Sequence, residues 1–323
     1  MEGLRRASGE RAEGAAARGV QAPLLYVLGT GFSGSTLLAF LVDTHADMAS
    51  VGEVTGPIAA MGDPRRYPCS CGAALADCGF WKDLGERMAR RGHAFGPERW
   101  SLRFEPVGGR LPRQLLRQSL RSAPLDRARD GAVPAAPVLG DRLRETARRY
   151  EAFVGSVREA TGRRVFVDAT KDPTQARYLL RLCPFDVRLV HLVRDAPAFA
   201  SSFIKNESGS LDAAIRHWKR TAGHVRRLTS RLAADRVLRV RYEDLCTDTE
   251  GELARIARFA GLAPAPGPVD FGTTPHHIIG NRMRLAGSRE VRLDESWRER
   301  LDASAIQEVQ RRTASLRRRF GYA

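Results

Sequence analysis

PLLYVLGTGFSGSTLLAFLVDT, running from Pro23 to Thr44, decides the fold. LLYVL is a short, uninterrupted apolar run closed by glycine, the pattern of a strand buried on both faces of a parallel sheet. GTGFSGS follows as a glycine-rich turn, and TLLAFLVDT has the apolar content of a buried helix. Strand, glycine loop and helix in that order gather backbone N–H groups and a helix N-terminus around one point, where an anionic phosphate is stabilised. Gly29 and Gly34 have the spacing of the phosphate loop of nucleotide hydrolases, but Ser35 stands where their lysine would be. The loop therefore reads as a holder of a terminal nucleotide phosphate without the usual means of transferring a γ-phosphoryl group. A glycine turn made only for close strand-to-helix packing is the alternative.

Strands and helices alternate downstream. Gly140 to Ala160 is a long helix, RRVFVD a strand ending at Asp168, Pro173 to Leu182 a helix and VRLVHLV a strand, after which Asp195 is placed to cap the next helix. Leu211, Ala214, Ile215, Trp218, Val225, Leu228 and Leu232 share one helical face. RVLRVRY is a further strand, and a helix from Thr249 to Ala260 closes the pattern. This alternation predicts an α/β fold with a parallel central sheet flanked by helices, of nucleotide-kinase type. Ligands of such a sheet lie beyond the carboxyl ends of its strands. Residues 1–21 read as a flexible tail and 22–323 as one domain, with an acceptor-side insertion at about 56–137 carrying short helices near Trp81–Arg91 and Arg113–Arg121.

The chain has 323 residues, 43% hydrophobic and 28% charged, which excludes a fibrous or wholly disordered protein. Its apolar runs are shorter than the roughly 18 residues of a membrane span. The N-terminal MEGLRRASGERAEGAAARG lacks an apolar core for a secretory signal, so the cytoplasm is the expected location. Net charge is +16, but all basic residues except Lys82, Lys171, Lys205 and Lys219 are Arg, the skew of a GC-rich genome. Basicity alone thus favours anionic ligands in general. With neither zinc-finger spacing nor an aromatic RNA-binding signature, no specific nucleic acid is expected. A lysine retained against this skew is enriched for positions needing a compact ammonium, and Lys171 in DATKDP is one to follow. Cys69, Cys71 and Cys78, in CSCGAALADC, are too few for a four-ligand zinc site unless a distant His or Asp joins them. A structural loop, a metal knot and a disulfide remain open.

GTGFSGSTLL resembles the first element of sulfotransferases that use 3′-phosphoadenosine-5′-phosphosulfate (PAPS), a loop of the form G-x-x-[RK]-S-G-[ST]-T. Phe32 departs from it where Arg or Lys is usual. The resemblance implies a 5′-phosphate held at Phe32, Ser33, Gly34, Ser35 and Thr36. HLVRDAPAFASSF is similar to the family's 3′-phosphate element, which implies Arg194 and Ser202 as its ligands. By likeness to tyrosylprotein, carbohydrate and bacterial sulfotransferases, Lys171 would sit beside the sulfuryl group and Glu53 would be the catalytic base, with His276 and His277 as alternative bases. VRYEDL, the loop with Asn281 and Arg284, and Asp294 with Trp297 look like the late elements of the group, Asn281 and Arg284 being expected at the nucleotide.

The resemblance covers about Pro23 to Leu301 and implies a PAPS-dependent sulfotransferase, with PAPS as co-substrate and no metal required. The acceptor would be a hydroxyl or amine on a carbohydrate, lipid or other natural product, for which the insertion offers Trp81, Phe95, Trp100 and Phe104. Trp218 would pack in the core or near adenine. The rivals are a kinase or NTPase of the same fold with Asp168 on Mg²⁺, and a non-catalytic binder of anions or nucleic acid.

Overall fold

A computed structural model of the chain describes residues 22–55, 63–100, 102–104, 123–267, 269–272, 275–285 and 290–323. The tail expected at 1–21 and the helix expected at 113–121 lie outside the described residues.

Strands β1 (Leu24–Leu28), β2 (Met48–Ser50), β3 (Val165–Lys171), β4 (Val187–Val193) and β5 (Val237–Arg241) form one sheet in the order β2-β3-β1-β4-β5. All its pairings are parallel. The chain winds from β1 to one side of the sheet and then crosses to the other, so a crevice opens beyond the carboxyl end of β1 where winding reverses.

Side chains of a strand alternate between faces. Leu24, Tyr26 and Leu28 enter a buried cluster with Leu143 and Phe153 of the helix Pro137–Thr161 and with Trp81 and Leu84 of the insertion. Leu25 and Val27 enter a second cluster, on the other face, with Leu38 and Leu41 of the helix Ser35–Asp43. Burial of each such side chain contributes about 1.5–3 kcal/mol, which locates the glycine loop between two packed layers. A third cluster joins Phe199, Trp218 and Phe320 from the helices Ala196–Glu207, Leu211–Thr229 and Ala303–Phe320. Trp218 is therefore a core residue, and its indole N–H donates to the Arg194 carbonyl at 3.2 Å.

Two elements differ from the sequence expectation. β2 is a strand where no strand is expected, because three residues are too few for a periodicity to show. β3 continues past Asp168 to Lys171, because the buried carboxylate finds partners inside the sheet layer: Tyr150 Oη donates to it at 2.5 Å and the Thr170 amide at 2.8 Å. No helix among the described residues is long and apolar enough to cross a membrane.

Candidate active site

The carboxyl edge of the sheet presents Glu53, Lys171, the loop Gly29–Thr36 and Arg194 after β2, β3, β1 and β4 respectively. Leu28, the last residue of β1, pairs with Lys171 on one side and with His191 on the other.

Gly34 starts the helix Ser35–Asp43 in the left-handed region (φ 91°) and brings no side chain to its amides. Asp172, Asp195, Ser210, Asp248 and Asp302 each cap another helix through a side-chain oxygen. The first-turn amides of Ser35–Asp43 have no side-chain cap, as is also the case for Gly79–Arg90 and Pro137–Thr161, and only those of Ser35–Asp43 follow the glycine turn at the carboxyl end of β1. A Cβ at Gly34 would also collide with the Tyr242 ring. Phe32 is left-handed as well (φ 57°). Ser33 is fully buried, and its Oγ has no hydrogen-bond partner among the described residues. Ser35 and Thr36 are buried, and Thr36 Oγ1 accepts from the Asn281 amide at 3.4 Å.

Arg194 is held from every side. One terminal nitrogen donates to the Phe32 carbonyl (3.1 Å) and Ser202 Oγ (3.4 Å), the other to the Asp294 carboxylate (3.0 Å) and carbonyl (3.2 Å). Its guanidinium lies 4.4 Å from the centre of the Tyr242 ring. The buried Nε has no partner among the described residues. With both terminal nitrogens engaged and its charge paired with Asp294, this guanidinium meets an anion only by exchanging one of these partners for it. Burial acts to raise the Asp294 pKa, but hydrogen bonds from Ser296 and Arg194 outweigh it and hold the carboxyl below its usual range. A cavity of about 680 Å³ is lined by Phe32, Gly34, Arg194, Ser202 and Asn281 among others, within the roughly 300–1,000 Å³ of small-molecule sites.

Lys171 Nζ donates to Glu53 Oε1 at 2.6 Å and to the Ala169 carbonyl at 3.2 Å. Both side chains are largely buried, 11% and 20% exposed. Lys171 itself is left-handed (φ 74°), a conformation costing a non-glycine residue about 1–3 kcal/mol. Glu53 is held by its amide, which donates to the Ile279 carbonyl at 2.9 Å, and by its neighbour Val54, whose carbonyl accepts from the Trp100 indole at 2.5 Å. Gly52, left-handed and pressed against Ile279, admits no side chain there. Neither Glu53 nor Lys171 lines the 680 Å³ cavity. The connection runs through Ile279 to Asn281.

The remaining candidates are engaged elsewhere. Arg284 faces the Cys-rich segment rather than the cavity: Nε donates to the Pro68 carbonyl at 3.0 Å, and the guanidinium lies 4.2 Å from the centre of the Tyr67 ring. His276 is buried, with Nδ1 2.6 Å from Asp43 Oδ2 and Nε2 3.2 Å from the Phe271 carbonyl. His277 stacks on Phe80 at 4.5 Å beside the cysteines. Asp168 is fully buried with both oxygens hydrogen-bonded within the core, against the metal-holding role that a kinase requires of it. Burial pushes its carboxyl up to about 6 despite the bonds from Thr170 and Tyr150.

Of Trp81, Phe95, Trp100 and Phe104, expected on the acceptor side, only Phe95 and Trp100 keep partly exposed faces. Trp81 and Phe104 are buried, and Trp100 packs 5.0 Å from Trp81 and 4.7 Å from Phe95. Trp81 and Phe104 belong to the insertion's core, and Phe95 and Trp100 are half-buried against it. Conversely, Tyr242 and Asp294, which hold Arg194, carry no sequence signal of that role. Asp294 lies 100 residues from its partner.

Residues 23–266 match a family model described as "Sulfotransferase family". No curated protein matches the chain. Among solved structures, it is similar to the sulfotransferase domain of the Synechococcus PCC 7002 olefin synthase, at 18% identity and a TM-score of 0.48, over 95% of this chain and 97% of that one. Similarity also extends to the sulfotransferase STF9 from Mycobacterium avium, at 15% identity and a TM-score of 0.47 over 98% of this chain and 81% of that one. A retinol dehydratase in complex with androsterone and inactive cofactor PAP matches at 15% identity and a TM-score of 0.37, over 93% of this chain and 82% of that one.

Proposed function

Because this chain belongs to the sulfotransferase family, we propose that it transfers a sulfuryl group from PAPS to a hydroxyl or amine of a small acceptor such as a carbohydrate, lipid or other natural product. The observation that supports this reading is that two segments far apart in sequence line one cavity: the turn with Phe32 and Gly34, and Arg194 with Ser202. The uncapped helix start and the unpartnered, fully buried Ser33 Oγ suit a phosphate at the turn. The 5′-phosphate would lie on Ser33 to Thr36 and the 3′-phosphate on Arg194 and Ser202. Asn281 would close over the nucleotide. Arg282 also lines the cavity and would supply positive charge that Phe32 lacks, whereas Arg292 there is paired with Glu290.

In the reaction, the acceptor oxygen or nitrogen attacks sulfur as its proton passes to a Glu53 carboxylate oxygen. The S–O bond to the 5′-phosphate breaks, and the Lys171 ammonium hydrogen-bonds the departing phosphate oxygen where negative charge develops. Lys171 Nζ gives two of its three N–H groups to Glu53 Oε1 and the Ala169 carbonyl, so the third would serve the departing oxygen while the ion pair stays closed. Positioning and electrostatics account for the catalysis, and the transfer itself uses no metal.

Calorimetric titration with adenosine 3′,5′-bisphosphate and with adenosine 5′-phosphate tests this assignment. At least about tenfold tighter binding of the bisphosphate is expected from the charge-assisted Arg194 contacts. Equal affinities would remove the donor assignment.

A further inference from the structure

Cys69, Cys71 and Cys78 are met by a fourth group, His277, about two hundred residues away in the chain. Their potential ligand atoms all lie within 4.8 Å of one another. We propose that Cys69, Cys71, Cys78 and His277 bind one zinc ion in a closed tetrahedral site that fastens the Cys-rich segment to the loop covering the phosphate-binding turn.

Four of the six ligand–ligand distances are close to those of a tetrahedron around one ion, and the other two lie within 4.8 Å. Zn–S bonds of about 2.3 Å and a Zn–N bond of about 2.0–2.1 Å separate neighbouring ligands by about 3.8 Å for S···S and about 3.6 Å for S···N. Here Cys71 and Cys78 Sγ are 3.7 Å apart, and Cys78 and Cys69 Sγ 4.0 Å. His277 Nδ1 lies 3.3 Å from Cys78 Sγ and 3.7 Å from Cys69 Sγ. A disulfide needs about 2.05 Å and leaves the third thiol and the imidazole without a purpose. Three thiolates and an imidazole are a donor set that selects zinc over hard cations, and the common spacing suits one ion rather than a multi-iron cluster.

The scaffold is built for this. The Gly72 amide turns back to the Cys69 carbonyl (3.0 Å), and the Cys69 amide donates to the Ala73 carbonyl (2.8 Å), which aims Cys69 and Cys71 inward. Cys78 begins the helix Gly79–Arg90. The His277 ring lies flat on Phe80, with an interplanar angle of 3°. Ser70 Oγ clamps the backbone on both sides of His277, donating to the His276 carbonyl at 2.7 Å and accepting from the Ile278 amide at 2.8 Å.

Two residues after His277, Ile279 accepts from the Glu53 amide, and the Gly280 carbonyl accepts from Tyr67 Oη at 2.7 Å. Asn281 then meets Thr36. An ion at the cluster would thus set, through one short segment, the positions of both Glu53 and the roof of the nucleotide site. With four protein ligands it has no open position for substrate, so its role is structural.

The test uses untagged full-length protein purified without chelators. Elemental analysis should find about one zinc per chain, and replacement by cobalt(II) should give the intense visible bands of a tetrahedral thiolate site. Cys71→Ser, at the exposed ligand, and His277→Ala should each weaken zinc binding by at least about 100-fold, with circular dichroism reporting that the fold is kept. Below about 0.1 zinc per chain together with a weak octahedral cobalt spectrum, the ion is adventitious only and the proposal fails. It fails equally if intact-mass analysis shows two of the three cysteines joined as a disulfide, or if both variants retain the tetrahedral spectrum. None of these readouts depends on sulfuryl transfer, so loss of the proposed activity leaves the metal site standing and the reverse.

Discussion

Lys171 Nζ and Glu53 Oε1 are 2.6 Å apart, two opposite charges carried past the ends of adjacent strands and joined in a largely buried ion pair. The pair sets a carboxylate and a compact cation within one hydrogen bond of each other, so each fixes the orientation of the other. Lys171→Ala should lower kcat by about 100–1,000-fold, and Glu53→Gln by about 100–10,000-fold, with donor affinity changed only a few-fold in either. The double variant should lose far less than the product of the single losses, because each single change already breaks the pair. Steady-state rates and a double-mutant cycle measure this. Wild-type turnover in Lys171→Ala removes the lysine from the reaction, and strictly multiplicative losses mean that the two residues act independently.

Arg194 should resist replacement by lysine. An ammonium at its place keeps the charge but cannot reach Phe32, Ser202 and Asp294 together, as the guanidinium does. Arg194→Lys is expected to weaken adenosine 3′,5′-bisphosphate by at least about tenfold while leaving adenosine 5′-phosphosulfate, which has no 3′-phosphate, nearly unchanged. Calorimetry with both ligands decides it. Equal weakening of the two would assign Arg194 to general packing of the loop through the Phe32 carbonyl.

What could be foreseen from the amino acids follows the range of the interactions involved. Leu24–Leu28 announces itself as a strand because it is a continuous apolar run, Val187–Val193 because valine and leucine dominate it around Arg188 and His191, and Asp195 as a cap because its partner is the next amide. Glycine spacing and the absence of lysine at Ser35 are likewise local. Met48–Ser50 is too short to read, yet it is the strand whose end delivers Glu53. The long-range contacts left no local trace: Asp294 on Arg194, Trp100 on Val54 and His277 among the cysteines. Phe95 and Trp100 are apolar whether they line a pocket or fill a core, so composition could not separate the two outcomes. Only packing against Trp81 and Phe153 does.

Acid sensitivity should trace in part to His191, which is buried beside Phe320 and whose pKa burial, with a smaller push from Arg239, lowers to about 3. The unfolded chain protonates this imidazole near 6.5, so its contribution to stability is complete above that pH and is lost as the pH falls toward 3. Asp168 works in the opposite direction. Its folded pKa of about 6 lies above the unfolded 3.8, so its term is complete below 3.8 and lost as the pH rises through 6. Between those limits the two partly cancel. His191→Phe removes the first, and its stability relative to the wild type should rise on acidification below about 6.5, by up to about 1.4 kcal/mol per pH unit. Urea unfolding from about pH 8 to about pH 4.5 measures the difference; a pH-independent gap would show that His191 titrates alike in both states.

The backbone of Lys171 offers a separate test of how the site is held. Its φ of 74° persists because Leu28 pairs with it on one side and the Thr55 amide is bonded to the neighbouring Thr170 at 3.3 Å. Lys171→Gly and Lys171→Ala delete the same ammonium and should lose turnover equally. Only glycine enters the left-handed region without a steric penalty, although it also has more chain entropy to lose on folding. The glycine variant should therefore exceed the alanine variant in unfolding free energy by about 1 kcal/mol. Paired urea titrations read that difference directly. If alanine proves equal or more stable, the strand end has relaxed in the variants and the left-handed turn is imposed by the lysine's own bond to Glu53, which would make the ion pair the cause of the geometry rather than its product.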